Sequence, residues 1–366
     1  MKNSILIIIA LDILCHIGFA QEDQEQEPSP FSVNGYLEIY YAYDFNKPES
    51  NTRPGFIYSF NRHNEVNLNF GFVRGSYNTD NLRANLALMA GTYANSNLAA
   101  EPGVLKNVFE ANAGVKISSS KNLWIDAGIF GSHIGFESAI GKDCWNLTRS
   151  ILADNTPYYE AGAKISYTTD TGKWFLSGLI LNGWQRIQRV EGNSLPSFGT
   201  QLTFKPNDAV TLNSSTFIGT DKPDSARQMR FFHNFYGIFQ LTEKVDLTVG
   251  FDCGVEERSP ETSSTDAWYS PVVIVRFALN DKMVFAIRGE YYADENGIII
   301  PVHDSTGTLN GFKSTGVSGN FDYMVLPNAV WRFEIRNFAT ENEVFAKEGG
   351  FSKVNTFVAT SLAVSF

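Results

Sequence analysis

Residues 33–46 read Val-Asn-Gly-Tyr-Leu-Glu-Ile-Tyr-Tyr-Ala-Tyr-Asp-Phe-Asn, and their alternation decides the fold class. The odd positions are Val33, Gly35, Leu37, Ile39, Tyr41, Tyr43 and Phe45. The even positions are Asn34, Tyr36, Glu38, Tyr40, Ala42, Asp44 and Asn46. Successive side chains of an extended strand point to opposite faces, so this stretch predicts a strand with one apolar and one wetter face. The same period of two recurs at Val66–Phe72, Leu82–Met89, Tyr159–Tyr167 and Trp331–Arg336. No segment after the first twenty residues approaches the eighteen consecutive apolar residues of a membrane helix.

The connections between these stretches fall into two kinds. Short polar turns lie at 78–81, 118–122, 169–172, 206–208, 242–244, 280–282 and 327–328. Longer Gly/Ser/Pro/Asn-rich connections lie near 47–64, 94–107, 132–157, 185–196, 219–229, 256–266, 294–314 and 339–353. The two kinds alternate strictly along the chain and together join sixteen strands. Strands of about ten residues, with short turns at one end and long loops at the other, are the pattern of an outer-membrane barrel. The expected fold is therefore all-β: an up-and-down antiparallel transmembrane β-barrel of about 16 strands, with short periplasmic turns and long extracellular loops. A soluble sandwich also strings short strands together, but nothing obliges its loops to alternate in length.

Composition agrees with this reading. The 366 residues are 43% hydrophobic, 14% aromatic and only 19% charged, with a formal net charge of -10. That balance argues against nucleic acid as a partner. Lys2, the apolar run Ile5–Leu14 and Gly18-Phe19-Ala20 match a cleaved export signal. The expected organisation is a signal peptide at 1–20, an acidic flexible tail at 21–32 and the barrel at 33–366. Aromatic residues gather at the expected interfaces. Tyr40, Tyr41, Tyr43, Tyr158, Tyr159, Trp268, Tyr269, Tyr291 and Tyr292 fall at the long-loop ends, and Tyr77, Tyr167 and Trp174 at the short-turn ends. The chain stops on a strand whose Val358, Leu362, Val364 and terminal Phe366 share one face, as in the signal read by the barrel assembly machinery.

Short motifs carry a family resemblance. Pro157-Tyr158-Tyr159-Glu160-Ala161-Gly162 is followed by Leu181-Asn182-Gly183-Trp184-Gln185-Arg186-Ile187, and preceded by Gly135-Phe136-Glu137 and Thr148-Arg149-Ser150. These resemble the centre of the OmpL-like beta-barrel porin family, over about Val33 to Phe366. The resemblance implies an outer-membrane pore and brings no catalytic residue set.

Other chemistry is thinly represented. His133 and Glu137 form the best-spaced metal pair, yet no second ligand pair accompanies them. Ser132 and His133 are sequence neighbours and would point to opposite faces of a strand, which is a poor start for a wall-mounted serine hydrolase. No phosphate-binding glycine loop is present, and neither a cofactor nor an enzymatic activity is expected. Cys144 falls in the third long loop and Cys253 on the apolar parity of its strand, on opposite sides of the wall.

The polar parity carries the candidate pore-lining set. Its acids are Glu38, Asp44, Glu110, Asp126, Glu160, Asp246, Asp252, Glu290 and Glu334. Its bases are Arg83, Lys116, Lys164, Lys205, Arg276, Arg288, Arg332 and Arg336. The near balance suits a transverse field across a water-filled lumen, with loop 132–157 folded inward opposite Arg288, Arg332 and Arg336. The expected function is passive diffusion of small hydrophilic solutes or ions across an outer membrane. The competing reading is a structural or adhesive barrel with a plugged lumen and ligand-binding loops. Expected partners are membrane lipid, the assembly machinery, the solutes and, as a homo-oligomer, further copies of the chain.

Overall fold

The computed structural model describes residues 29–262, 264–303 and 309–366. The export signal and most of the acidic tail lie outside the described residues. The remainder forms one closed antiparallel barrel of sixteen strands in sequential order. The first eight are β1 (Phe31–Asp44), β2 (Val66–Asn78), β3 (Leu82–Ala90), β4 (Val108–Lys116), β5 (Asn122–Gly131), β6 (Tyr159–Thr168), β7 (Trp174–Leu181) and β8 (Ser197–Asn207). The others are β9 (Val210–Gly219), β10 (Arg230–Gln240), β11 (Val245–Glu257), β12 (Thr265–Ala278), β13 (Met283–Asp294), β14 (Phe312–Leu326), β15 (Ala329–Thr340) and β16 (Val354–Ser365). β1 starts at Phe31, two residues ahead of the expected edge. Two short ribbons in the loops, Val302–His303 with Leu309–Asn310 and Phe345–Lys347 with Gly350–Ser352, lie outside the barrel sheet.

Closure joins the first strand to the last. β1 pairs with β16 from Tyr36↔Ser365 to Asp44↔Phe357, and the Gly35 and Phe366 backbones exchange hydrogen bonds of 2.7 and 3.0 Å. A closed sheet leaves no unpaired strand edge, as a membrane span requires. Turns at one end are as brief as 208–209 and 327–328, whereas the opposite end carries loops such as 45–65 and 132–158.

The outward parity is apolar and exposed, as at Val33, Leu37 and Ile39 on β1 and Trp331, Phe333 and Ile335 on β15. β10, whose phenylalanines occupy both parities, resolves the same way. Phe231, Phe235 and Phe239 point outward while Phe232 and Tyr236 point inward. Before loop 132–158, β5 and β6 pair glycine with glycine at Gly128↔Gly162. Gly128 has φ 124°, and a Cβ there would overlap the Ala111 carbonyl, so only glycine fits.

The inside of the barrel departs from expectation. Its loop-side half is a packed apolar core. Tyr36, Phe70, Phe72 and Phe109 from the wall meet Tyr93, Leu98, Leu152 and Tyr158 from the loops. Tyr40, Phe217, Phe232, Trp268, Phe312 and Phe338 meet Phe56, Ile57, Phe60, Leu147 and Ile151. Much of the expected aromatic belt is therefore buried: Tyr40, Trp268 and Tyr292 turn into the lumen, and Tyr158 and Tyr159 are covered by loop residues, with the Tyr159 hydroxyl donating to Glu101 at 3.3 Å. For the first three the reason is parity. Tyr40/Tyr41, Trp268/Tyr269 and Tyr291/Tyr292 are adjacent pairs, and only one member of each can face lipid.

Candidate functional site

Loop 132–158 crosses the lumen, and its own polar groups hold its shape. Arg149 is fully buried and donates to the carbonyls of Ser138, Leu147 and Ala139 at 2.6, 2.7 and 3.2 Å. Ser150 caps the short helix α1 (Ile151–Asp154) by accepting from the Ala153 amide, and its own hydroxyl donates to Glu137. Glu137 is thereby committed to Ser150, and His133 turns to Glu160 instead. The His133–Glu137 pair is not assembled. Among the described residues, no group of three or more His, Cys, Asp or Glu side chains converges as if on a metal ion.

The wall reads the loop's backbone through charged side chains. Arg288 donates to the Thr148 carbonyl at 2.7 Å and to Glu334 at 2.8 Å. Arg336 donates to the Arg149 carbonyl at 2.7 Å and to Glu290 at 3.0 Å. Arg332 donates to the Cys144 carbonyl and to Asp322, both at 2.8 Å. In return, Glu334 and Glu290 accept the amides of Thr148 and Ile151 at 2.6 and 2.7 Å. On the opposite wall, Ser215 donates to the His133 carbonyl, and the Gly135 amide donates to Asn234. The Lys142 amide reaches the Tyr36 hydroxyl on β1. Gly141 lies so close to the Glu38 carboxylate that a Cβ would overlap it.

This seating corrects the expected environment of the lumen charges. Glu38, Glu160, Arg288, Arg332 and Glu334 are all 0% exposed, with Asp126, Glu290 and Arg336 also buried. They face inward, but the loop covers most of them. Ion pairs toward the turn side are more open: Arg83–Asp126, Arg74–Glu110 at 3.0 Å and Arg276–Asp246 at 2.6 Å, with Arg83 34% exposed. Lys116 is half-buried there, and Lys164 stands over the Phe130 ring.

Two cavities flank the loop. A cavity of about 410 Å³ opens among Tyr58, Asn97, Trp184, Arg186, Lys222 and Arg230, and is floored by Asp154 to Thr156. A smaller one of about 70 Å³ lies between Glu137, Cys144 and Trp145 on the loop and Thr248 on the wall. Burial raises the Asp154 carboxyl to about 7 against the pull of Arg336 and Arg149, and pushes the Cys144 thiol up to about 11. Cys144 and Cys253 are both free.

Two polar constellations escaped the reading of the sequence. Burial alone would lower the His133 pKa. The Glu160 charge, its hydrogen bond and the Thr216 carbonyl reverse this and raise it above the ordinary histidine value. Parity marked Glu160 as inward, but nothing local announced a partner 27 residues away. On the outer wall, Ser214 and the His233 Nε2 are 2.8 Å apart across β9 and β10. Both sit on the apolar parity of their strands, and that mismatch was the available signal.

A closed sixteen-stranded barrel, crossed by an inward loop anchored on buried arginines, defines the porin class of outer-membrane proteins. The chain belongs to the family described as "Putative beta-barrel porin-2, OmpL-like", which it matches over residues 30–366. The outer membrane is accordingly its location. No curated protein matches it. Its fold is similar to the anion-selective porin from Comamonas acidovorans, with TM-score 0.59 and 9% identity, covering 92% of this chain and 99% of that one. The outer membrane channel DcaP of Acinetobacter baumannii gives TM-score 0.58 and 9% identity, covering 92% and 97%. OmpT of Vibrio cholerae in its trimer form gives 0.57 and 11%, covering 92% and 99%. At these identities the likeness concerns the fold alone.

Proposed function

We propose that the chain is a porin for passive diffusion of small hydrophilic solutes or ions, with loop 132–158 as the element that restricts the path. The observation that carries this is the loop's seat on Arg288, Arg332 and Arg336, between a polar outer cavity and more open ion pairs on the turn side. Paired charges at a constriction make a transverse field and act on permeating ions at short range. Export through a cleaved signal at 1–20, insertion by way of the C-terminal strand and a wall with no catalytic role belong to the same reading. The experiment is single-channel recording in planar bilayers, on the native chain and on a chain shortened between Ser138 and Arg149. Small discrete steps that enlarge with the shortened loop are expected. Steps of unchanged size would place the path away from the loop.

A second reading, the plugged structural or adhesive barrel, is favoured by the two apolar clusters that fill the loop-side lumen. Its signature is a heat-modifiable barrel that conducts in neither form.

A further inference from the structure

The turn that follows β7 builds one wall of the outer cavity, and most of its polar groups are committed to its own shape. The Asn182 side-chain amide donates to the Ile187 carbonyl at 2.8 Å, and the Ile187 and Gln188 backbone amides donate to Glu101. Gln185 accepts the Tyr158 amide at 2.8 Å and donates to the Asn97 carbonyl at 3.3 Å. Gly183, at φ 151°, lies so close to Asp221 that a Cβ would overlap its carboxylate, and the Trp184 amide donates there at 3.0 Å. Gln185 itself holds φ 55°, a left-handed conformation that is uncommon for a residue other than glycine and gathers at functional sites. Arg186 takes no part in this bracing. It is half-buried on the cavity wall, with no ion-pair partner among the described residues.

The charges around the cavity do not cancel. Arg230 pairs with Glu256 at 2.6 Å and faces Asp221 at 3.9 Å. Lys222 is exposed and, like Arg186, has no ion-pair partner among the described residues, so three cations stand against two carboxylates. The chain as a whole has a formal net charge of -10, so this surplus is local and does not follow from composition. The floor is polar without being firmly anionic. The Asp154 carboxyl is 4% exposed, accepts the Tyr158 hydroxyl at 3.4 Å and is raised by burial to about 7. In its protonated form it donates as well as accepts. Asn155 and Tyr58 line the same cavity, and Trp184 and Ile299 give it apolar surface.

We infer that this cavity is a binding site for a sugar acid, a small hydroxylated solute carrying a single carboxylate. Arg186 meets the carboxylate with its planar fork, and Lys222 adds a second positive charge. The solute's hydroxyls bond to Asp154, Asn155 and Tyr58. The volume of about 410 Å³ lies within the range of small-molecule sites. A fatty acid would satisfy Arg186 but leave the polar floor without partners, which is costly. A neutral sugar would satisfy the floor and leave the surplus charge unmatched. A doubly charged phosphate exceeds that surplus. That the bound solute then passes through the barrel rests on the pore reading; the binding itself does not.

The test is ligand-observed saturation-transfer NMR on the barrel extracted from outer membranes, titrated with D-glucuronate, D-glucose or hexanoate. Glucuronate should bind about tenfold more tightly than either control, since each control lacks one half of the contacts. Arg186→Gln should weaken glucuronate binding about tenfold, and Lys222→Gln several-fold. Lys173→Gln, on the turn side of the barrel, should leave it unchanged. Heat-modifiability confirms the fold of each variant, and Arg186 has no ion pair to lose. Glucose or hexanoate binding as tightly as glucuronate, no saturable glucuronate binding, or native affinity in Arg186→Gln would each overturn the inference. Single-channel recording on the same preparations separates the two readings. Glucuronate binding to a barrel that does not conduct would sink the pore and leave the site, whereas conduction without glucuronate binding would sink the site alone.

Discussion

His133 and Glu160 form a latch in which both imidazole nitrogens face acceptors. Nδ1 is 2.9 Å from the Glu160 carboxylate, and Nε2 is 2.8 Å from the Thr216 carbonyl. A neutral ring carries one N–H and satisfies one of these, whereas an imidazolium donates to both. A protonated His133 thus ties the start of loop 132–158 to both β6 and β9, and a neutral one to only one of them. Lys164 is the nearby charge that opposes it.

The latch predicts a pH dependence of definite sign. The His133 pKa is raised above 6.5 when the loop is seated. Its stabilisation is therefore complete below 6.5 and is lost as pH rises through the raised value. Amide exchange at residues 133–136 should accelerate, and channel opening increase, as pH climbs from about 6 into the alkaline range. His133→Gln should flatten both profiles. A pH response that survives this substitution would assign it to other groups.

Charge reversal on the wall should separate the two ends of the lumen. Arg336→Glu would leave Glu290 and the Arg149 carbonyl facing a buried anion, and breaking such a pair costs about 3–5 kcal/mol. Arg276 and its partner Asp246 are both partly exposed, so Arg276→Glu should cost only about 1 kcal/mol. Urea unfolding in lipid vesicles measures both. Equal costs would mean that the loop does not cover Arg336 as described.

The outer face supplies a third contrast. Phe333 points outward between the inward Arg332 and Glu334 and is exposed at the level of its strand centre. Phe333→Arg should cost about 2–4 kcal/mol near the bilayer midplane. The same change at Phe31, at the turn-side rim of β1, should cost about 1 kcal/mol or less. A Phe333→Arg barrel as stable as the native one would put that position outside hydrocarbon.

Val33–Asn46 announced its strand because period two is a local property. The sixteen strands, their turns and most of their lipid face were legible for that reason. Parity says which way a side chain points and not what it meets. Tyr36 was assigned a wet lumen, and Phe70 and Phe72 the lipid face with Val66 and Leu68. The register shift at Glu38/Ile39 passes over Asn69 and turns both phenylalanines inward, and all three aromatic residues pack under residues of loops 91–107 and 132–158. Arg332 and Arg336 were correctly turned inward, but the carbonyls that cover them come from a loop nearly two hundred residues earlier in the chain. No window of sequence contains that pairing. Ser214 and His233 on the outer wall were visible as breaks in an apolar parity, but not as partners.

The C-terminal residue tests how the barrel is inserted. Phe366 is 70% exposed and rests on Gly35, where a Cβ would collide with its ring, while its backbone completes the β1–β16 seam. Two roles are open to it: packing on the seam and display of a terminal aromatic to the assembly machinery. They give different results for Phe366→Asp. If the ring is read during assembly, the heat-modifiable form in the outer membrane should fall several-fold, while refolding of the purified chain into lipid vesicles stays normal. If the ring mainly packs the seam, both should fall together, because a carboxylate at the rim of β16 cannot cover Gly35 as the ring does. We expect the first pattern, since the backbone bonds that close the barrel do not need the side chain. Normal outer-membrane levels of the variant would remove Phe366 from the assembly signal, leaving Val358, Leu362 and Val364 to carry it.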